Sequence, residues 1–334
     1  MEKVGIIGSG SWATALAKVL TDNRREINWW FRNSNNSAYF LKNRHHPKYL
    51  SHLHFDISSI TFSDNVAFVI ENSELVLIAT PSAFVQDALD ELPEDIFKNK
   101  QILSAVKGIL PDKIELLNDY LQRKFNIPLE NYFTALGPCH AEEVAAEKLS
   151  YLTFSGIDEA ATKNIASFFK TDYLNTRINP DILGVQYAAV LKNVYALGAG
   201  IACGLDYGDN FLSVFTANAA DEMATFLKKL SLHNDDGLHP NYSSSVYLGD
   251  LLVTCYSLYS RNRTFGTMIG KGYSVKAAQL ELNMIAEGYN ASKCIYNINQ
   301  HIQAEMPIAT AVYDILWNGA SAKETIGKLE NVLH

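Results

Sequence analysis

The stretch "KVGIIGSGSWATALAKVL" (residues 3–20) leaves few options for how this chain folds. An apolar run, a glycine turn and a small-residue helical pattern follow one another with nothing between. The Val and Ile content of the run suits a strand covered on both faces. Gly8 permits a tight turn, and Gly10 lets the backbone approach a pyrophosphate. Ala13 takes the third position of the fingerprint, where a small residue allows close helix–strand packing. Amides around Ser11 and Trp12 would open the helix and present its positive end to phosphates. A start of this kind predicts an α/β, doubly wound, Rossmann-type domain that binds a dinucleotide.

The next segments keep the rhythm. "INWWF", "LVLIAT", "QILSAV", "YFTAL" and "YLTFSG" read as strands, with "AFVQDALDEL" and "KIELLNDYLQRKF" as helices among them. Such alternation implies a mostly parallel sheet with helices on both faces. After about Asp181 the strands stop, and five long segments from "ILGVQYAAVLKNVYALGAGIACGL" onward carry helical periodicity. The chain is therefore divided into a dinucleotide-binding domain, 1–181, and an all-α C-terminal domain, 182–334.

Composition narrows the function. With 48% hydrophobic and 19% charged residues, the chain has the profile of a soluble globular protein. A formal charge of −8 argues against nucleic acid or an anionic membrane as the main partner. No apolar run approaches the roughly 18 residues of a membrane span. The four cysteines are scattered, which suits a reducing cytoplasm, and the chain enters a strand at once, without room for a signal peptide. The histidines of "NRHHPKYLSHLHF" lack a zinc-ligand spacing and read as a solvated loop, so no metal is expected. The polar stretch at 232–245 reads as a surface loop.

Several polar residues sit where strand or helix logic does not demand them. Arg32 ends the second strand in place of an acidic residue. It can accommodate a 2′-phosphate or stack on adenine, which leaves NAD and NADP both open. Lys107 and the Gly137–Ala141 turn follow strands at the edge where doubly wound sheets bind ligands. Lys192-Asn193 interrupts an apolar, small-residue helix, and a buried lysine is rarely tolerated unless it is paired or working. Asp250 stands in an apolar context, and Ser260-Arg261-Asn262-Arg263 form one polar turn suited to a phosphate. Hydride transfer to a carbonyl needs a proton donor for the developing alkoxide. A desolvated lysine can serve, because burial brings its pKa toward neutrality, and Asp250 could orient it.

With these blocks in order ("GSGSWATALA", "AVKG", "GPCHAEEVA", "AVLKN", "SRNRTFG" and "AEGYNASK"), the chain resembles the bacterial-type NAD(P)-dependent glycerol-3-phosphate dehydrogenases across residues 5–316. The resemblance implies reversible reduction of dihydroxyacetone phosphate to sn-glycerol 3-phosphate in the cytoplasm, supplying the glycerol backbone of phospholipids. It implies Lys192 as proton donor or acceptor, with Asp250 beside it. Lys107, Gly137, Cys139, Asp250, Ser260, Arg261 and Asn262 match substrate-contacting positions. Ser11, Trp12, Arg32, Lys107, Ala141, Arg261, Ile285 and Glu287 match cofactor-contacting ones, joining Gly8 and Gly10. A small-molecule substrate is the expected partner, and the reading is compatible with a homodimer. The family commonly has Ser or Thr where Cys139 stands and an aromatic where His140 stands. A thiol is a weaker donor than a hydroxyl, and His140 could compensate.

Two other readings share parts of this pattern. A 3-hydroxyacid or ketopantoate-type dehydrogenase also joins a Rossmann domain to a helical one and can use a lysine, but its substrate is a carboxylate. A non-catalytic NAD(P) sensor would lose the proton donor, whereas Lys192 and Asp250 are both present.

Overall fold

The computed structural model describes residues 3–234, 237–282 and 286–334. Ile285 and residues 235–236 of the polar stretch lie outside the described residues. The chain forms two compact units, one of residues 1–106 and 115–182, the other of 107–114 and 183–334. Residues 107–114, which include Lys107, thus count with the helical unit.

The first unit runs β1 (Val4–Ile7), α1 (Ser11–Asp22), β2 (Ile27–Trp30), α2 (Ser34–Asn43), β3 (Ile60–Ser63), α3 (Val66–Glu71), β4 (Leu75–Ile78), α4 (Val85–Leu89) and β5 (Gln101–Ser104). It continues with α5 (Leu117–Phe125), β6 (Tyr132–Leu136), α6 (Ala141–Ala145), β7 (Ser150–Ser155), α7 (Glu159–Ser167) and β8 (Leu174–Asn179). The eight strands order as β3-β2-β1-β4-β5-β6-β7-β8. All neighbours are parallel except β6 and β7. After β3 the chain crosses to the other side of β1, so the ends of β1 and β4 flank the switch point where such sheets bind ligands.

Burial explains which strands the sequence betrays. β1, β4 and β6 are buried along their whole length and read as apolar runs. β3 and β8, absent from the sequence reading, are the two edge strands, and their partly exposed "ITFS" and "LNTRIN" carry polar residues. The histidine segment differs from expectation in one respect. His46 is only 1% exposed, and its ring stacks on Phe31 instead of meeting solvent.

The second unit contains α8 (Ile182–Gly204), α9 (Asp209–Asn234), a π-helical turn (Ser245–Gly249), α10 (Asp250–Tyr256), α11 (Arg261–Gly270), α12 (Val275–Leu282), α13 (Glu287–Ile302), α14 (Pro307–Trp317) and α15 (Ala322–Leu329). The expected loop at 232–245 therefore begins inside α9. Among the described residues no helix is long and apolar enough to cross a membrane. Within α8 nearly every residue from Val185 to Ala202 is buried, as its all-round hydrophobicity demands. One buried carboxylate outside the site caps a helix: Glu222 of α9 accepts the N–H groups of Ile308 and Ala309, at 2.8 and 2.9 Å. Burial pushes its carboxyl up to about 7.

The small residues of α8 serve a backbone-to-backbone contact with α11. A Cβ on Gly266 would lie 2.1 Å from the Leu197 carbonyl oxygen, and one on Gly200 would lie 2.1 Å from that of Arg263. Gly204 and Gly270 repeat the fit one turn on, each 2.3 Å from a carbonyl oxygen of the other helix. Neither obstacle is a side chain that could rotate away. Gly266→Ala is expected to destabilise the protein by about 1–3 kcal/mol through overpacking. Gly327→Ala, on α15 with nothing within 4 Å of its would-be Cβ, is expected to stabilise it by about 0.5–1 kcal/mol. Urea denaturation midpoints of the two variants should move in opposite directions.

Candidate active site

The glycine turn in the first unit has the shape of a phosphate cradle. Gly8 adopts φ +125°, and a Cβ there would sit 2.8 Å from backbone atoms of Ala79. At Gly10, the N-cap of α1, a Cβ would meet nothing within 4 Å. The space over Gly10 is thus open to a ligand, while Gly8 is closed by the neighbouring strand end. Ser11 and Trp12 begin α1, and Ala13 is fully buried against the sheet. Arg32 lies exposed just beyond β2, whose last residue pairs with the last residue of β1. These features fit a dinucleotide.

On the far side of the same sheet, Gly137 follows β6 with φ +139°. Cys139 is 6% exposed, and its thiol donates to the Tyr151 carbonyl at 3.2 Å. The single S–H proton is therefore directed at backbone. His140 holds the N-cap position of α6 without a side-chain capping bond, and Ala141 begins that helix, buried.

The helical unit gathers the remaining candidates. Lys192, in the middle of α8, donates from Nζ to Asp250 Oδ1. The two side chains are 5% and 2% exposed, so this is a fully buried ion pair. Asp250 Oδ2, also buried, has no hydrogen-bond partner among the described residues. Nearby, burial pushes the Cys255 thiol up to about 12, against the opposing pull of the Lys192 and Arg263 charges.

Beside the pair runs a chain of amides. Asn193 donates from Nδ2 to the carbonyls of Lys107 and Ala189, both at 3.1 Å. Its Oδ1 accepts from Asn262 Nδ2 at 2.9 Å, and Asn262 Oδ1 accepts the Gly288 N–H at 3.0 Å. Four positions are tied together: Lys107, the middle of α8, the start of α11 and the start of α13. Arg261 and Glu287 are the first residues of those last two helices. A Cβ on Gly288 would lie 2.4 Å from the Asn193 carbonyl oxygen, so α13 can approach this closely only with glycine there.

Ser260 is the N-cap of α11, its hydroxyl accepting the Arg263 N–H at 3.3 Å. Arg263 itself turns away from that end and donates to the Tyr256 carbonyl at 2.9 Å and to Cys203 Sγ at 3.5 Å. Of the polar turn expected to receive a phosphate, Ser260, Arg261 and Asn262 remain at the helix start. Among the described residues no three His, Cys, Asp or Glu side chains are gathered to hold a metal.

The family model for the N-terminus of NAD-dependent glycerol-3-phosphate dehydrogenase matches residues 3–162, and that for the C-terminus matches residues 181–327. The chain belongs to this family. A glycerol-3-phosphate dehydrogenase [NAD(P)+] of Bacillus mycoides is 31% identical over 330 residues, covering 98% of this chain and 95% of that relative. One from Bacillus cereus is 30% identical over 332 residues, with the same coverage of 98% and 95%. Among solved structures, a Coxiella burnetii glycerol-3-phosphate dehydrogenase superposes with a TM-score of 0.88 at 24% identity, over 98% of both chains. The Plasmodium falciparum enzyme gives 0.85 at 21% identity, over 98% of this chain and 94% of its own. A Ralstonia eutropha PanE/ApbA family ketopantoate reductase is a looser likeness, at 0.55 and 15% identity over 94% of this chain and 97% of its own.

Asn193 was visible in the sequence beside Lys192 but had no role there. Its carboxamide is spent on scaffold, which only the packing of α11 and α13 against α8 reveals. Asn193→Ala and Asn262→Ala are expected to be coupled, because each leaves the other's amide unmet. The double variant should cost less than the sum of the singles by about 0.5–3 kcal/mol in urea denaturation. Additive losses would show that their shared bond contributes nothing.

Proposed function

We infer that this chain catalyses the reversible reduction of dihydroxyacetone phosphate to sn-glycerol 3-phosphate, with NAD(P)H bound at the glycine turn. Family membership and the named activity of the relatives support the reaction. The buried Lys192–Asp250 pair supports the chemistry, because two desolvated charges in an apolar helical unit are expensive unless they work or anchor. The dinucleotide supplies the hydride. Gly8, Gly10, Ser11, Trp12 and Arg32 are the residues proposed to hold it in the first unit. Ala141 is a further candidate there, with Lys107, Arg261 and Glu287 in the second.

Lys192 is assigned as the acid that delivers a proton to the substrate oxygen as the carbonyl becomes an alkoxide, and as the base in the reverse direction. Asp250 Oδ1 orients it, and the unmet Oδ2 is available to a substrate hydroxyl. Ser260, Arg261 and the N-terminal end of α11 form the proposed phosphate end. Asn262 keeps one amide hydrogen beyond its scaffold bond for the same purpose. Lys107 and Gly137 remain substrate candidates. Cys139 is the weakest of these, since its proton already has a backbone acceptor. The product would feed phospholipid synthesis in the cytoplasm.

Absorbance at 340 nm with purified protein, dihydroxyacetone phosphate and either NADH or NADPH tests the reaction directly. Oxidation of either dinucleotide is the expected result; none, in a folded protein that binds the dinucleotide, would turn the assignment toward carboxylate substrates. In the same assay Lys192→Ala is expected to lower kcat by about 10²–10⁴-fold, the usual contribution of a positioned acid, with dinucleotide affinity little changed. Arg32→Ala should reduce kcat/KM for NADPH more than for NADH. Equal losses would remove the 2′-phosphate contact.

A further inference from the structure

Three carbonyls at the glycine turn are held from behind. The Ile7 carbonyl accepts from Ala79 N at 2.9 Å and Thr80 Oγ1 at 3.1 Å. That of Gly10 accepts from Thr14 N and Thr14 Oγ1, both at 2.9 Å. That of Gly8 accepts from the indole Nε1 of Trp29, at 2.7 Å. Backbone and short hydroxyls within the turn's own neighbourhood hold the first two carbonyls, but a core side chain on β2 holds the third.

Trp29 is fully buried and cannot move to make that bond casually. Its ring is boxed by Phe31, Phe40, Phe62 and Phe55, with centroids 5.0, 5.5, 5.9 and 6.1 Å away. His46 closes the same box against Phe31. Its Nδ1 accepts the N–H groups of Lys48 and Tyr49 at 3.0 and 2.9 Å, which leaves the ring proton on Nε2. Burial pushes this imidazole down to about 4. The aromatic box thus meets the turn at the Gly8 carbonyl.

Peptide geometry converts this grip into a direction. In a planar trans peptide the N–H of one residue points opposite to the C=O of the residue before it. With the Gly8 carbonyl drawn to Trp29, the Ser9 N–H faces away from the box. With the Gly10 carbonyl drawn to Thr14, the Ser11 N–H faces away from the body of α1. We propose that Trp29 is a positioning residue for the dinucleotide: its indole N–H holds the Gly8 carbonyl inward and so aims the amides of the turn at the pyrophosphate. This rests on the reading above that the turn binds NAD(P)H.

A tryptophan present only to fill the core would be replaceable by another ring without consequence for the ligand. The test is therefore dinucleotide affinity of the apo protein, by calorimetry, in Trp29→Phe. A second variant replaces Trp29 with β-(3-benzothienyl)alanine, which keeps the two-ring shape and substitutes sulfur for the N–H. Both are expected to raise the Kd for NADH about 5- to 30-fold, the effect of one unmet buried carbonyl. The KM for dihydroxyacetone phosphate, and kcat at saturating NADH, should stay within about twofold. Phe40→Leu, which loosens the same box without removing a hydrogen bond, should lower the melting temperature and leave Kd unchanged. An unchanged Kd in the benzothienyl variant, or an equal rise in Phe40→Leu, would overturn the proposal. A wild-type protein that binds no dinucleotide would overturn the underlying reading with it.

Discussion

The Lys192–Asp250 ion pair is the interaction around which the helical unit is organised. Removing two charges from water costs several kcal/mol per ion, and their mutual attraction offsets this only where geometry is fixed. The fixing comes from both ends. Lys192 projects from a 23-residue helix buried nearly all round, and Asp250 opens α10 directly after a π-helical turn.

A second constraint keeps the neighbouring groups in register. Glycines on α8 and α11 let the two backbones touch, and this proximity brings the short Asn262 side chain within reach of Asn193. Longer side chains between the helices would hold the amides apart, and a buried amide without partners is costly. The small residues and the asparagines are one device. The first makes the contact possible, and the second makes a displaced contact unfavourable. Lys107 is drawn in through its main-chain carbonyl.

Much of this was legible in the residues. The glycine turn, the alternation of strands and helices, the change to helices near Asp181 and the oddness of Lys192 each follow from local rules of packing and solvation. What escaped detection shares a physical cause. The edge strands β3 and β8 lack an apolar run because solvent reaches them. His46 looked solvated because histidine-rich, charged surroundings give no hint that one ring turns inward onto Phe31. Arg263 looked like a phosphate ligand because spacing along a helix does not say which guanidinium folds back on Tyr256.

The sequence by itself determined the buried elements and the chemistry available to them. A strand–glycine–helix start is suited to meet a phosphate, and a lysine inside an apolar helix is rarely tolerated unless paired or used. Only the tertiary structure decided the partners. That Asp250 faces Lys192, that Asn193 clasps Asn262, and that Trp29 grips the Gly8 carbonyl across 21 residues are all contacts between segments distant along the chain. Local propensity carries no information about such pairings. They are selected when the whole apolar surface is buried at once, and only the arrangement that also satisfies these polar groups is stable.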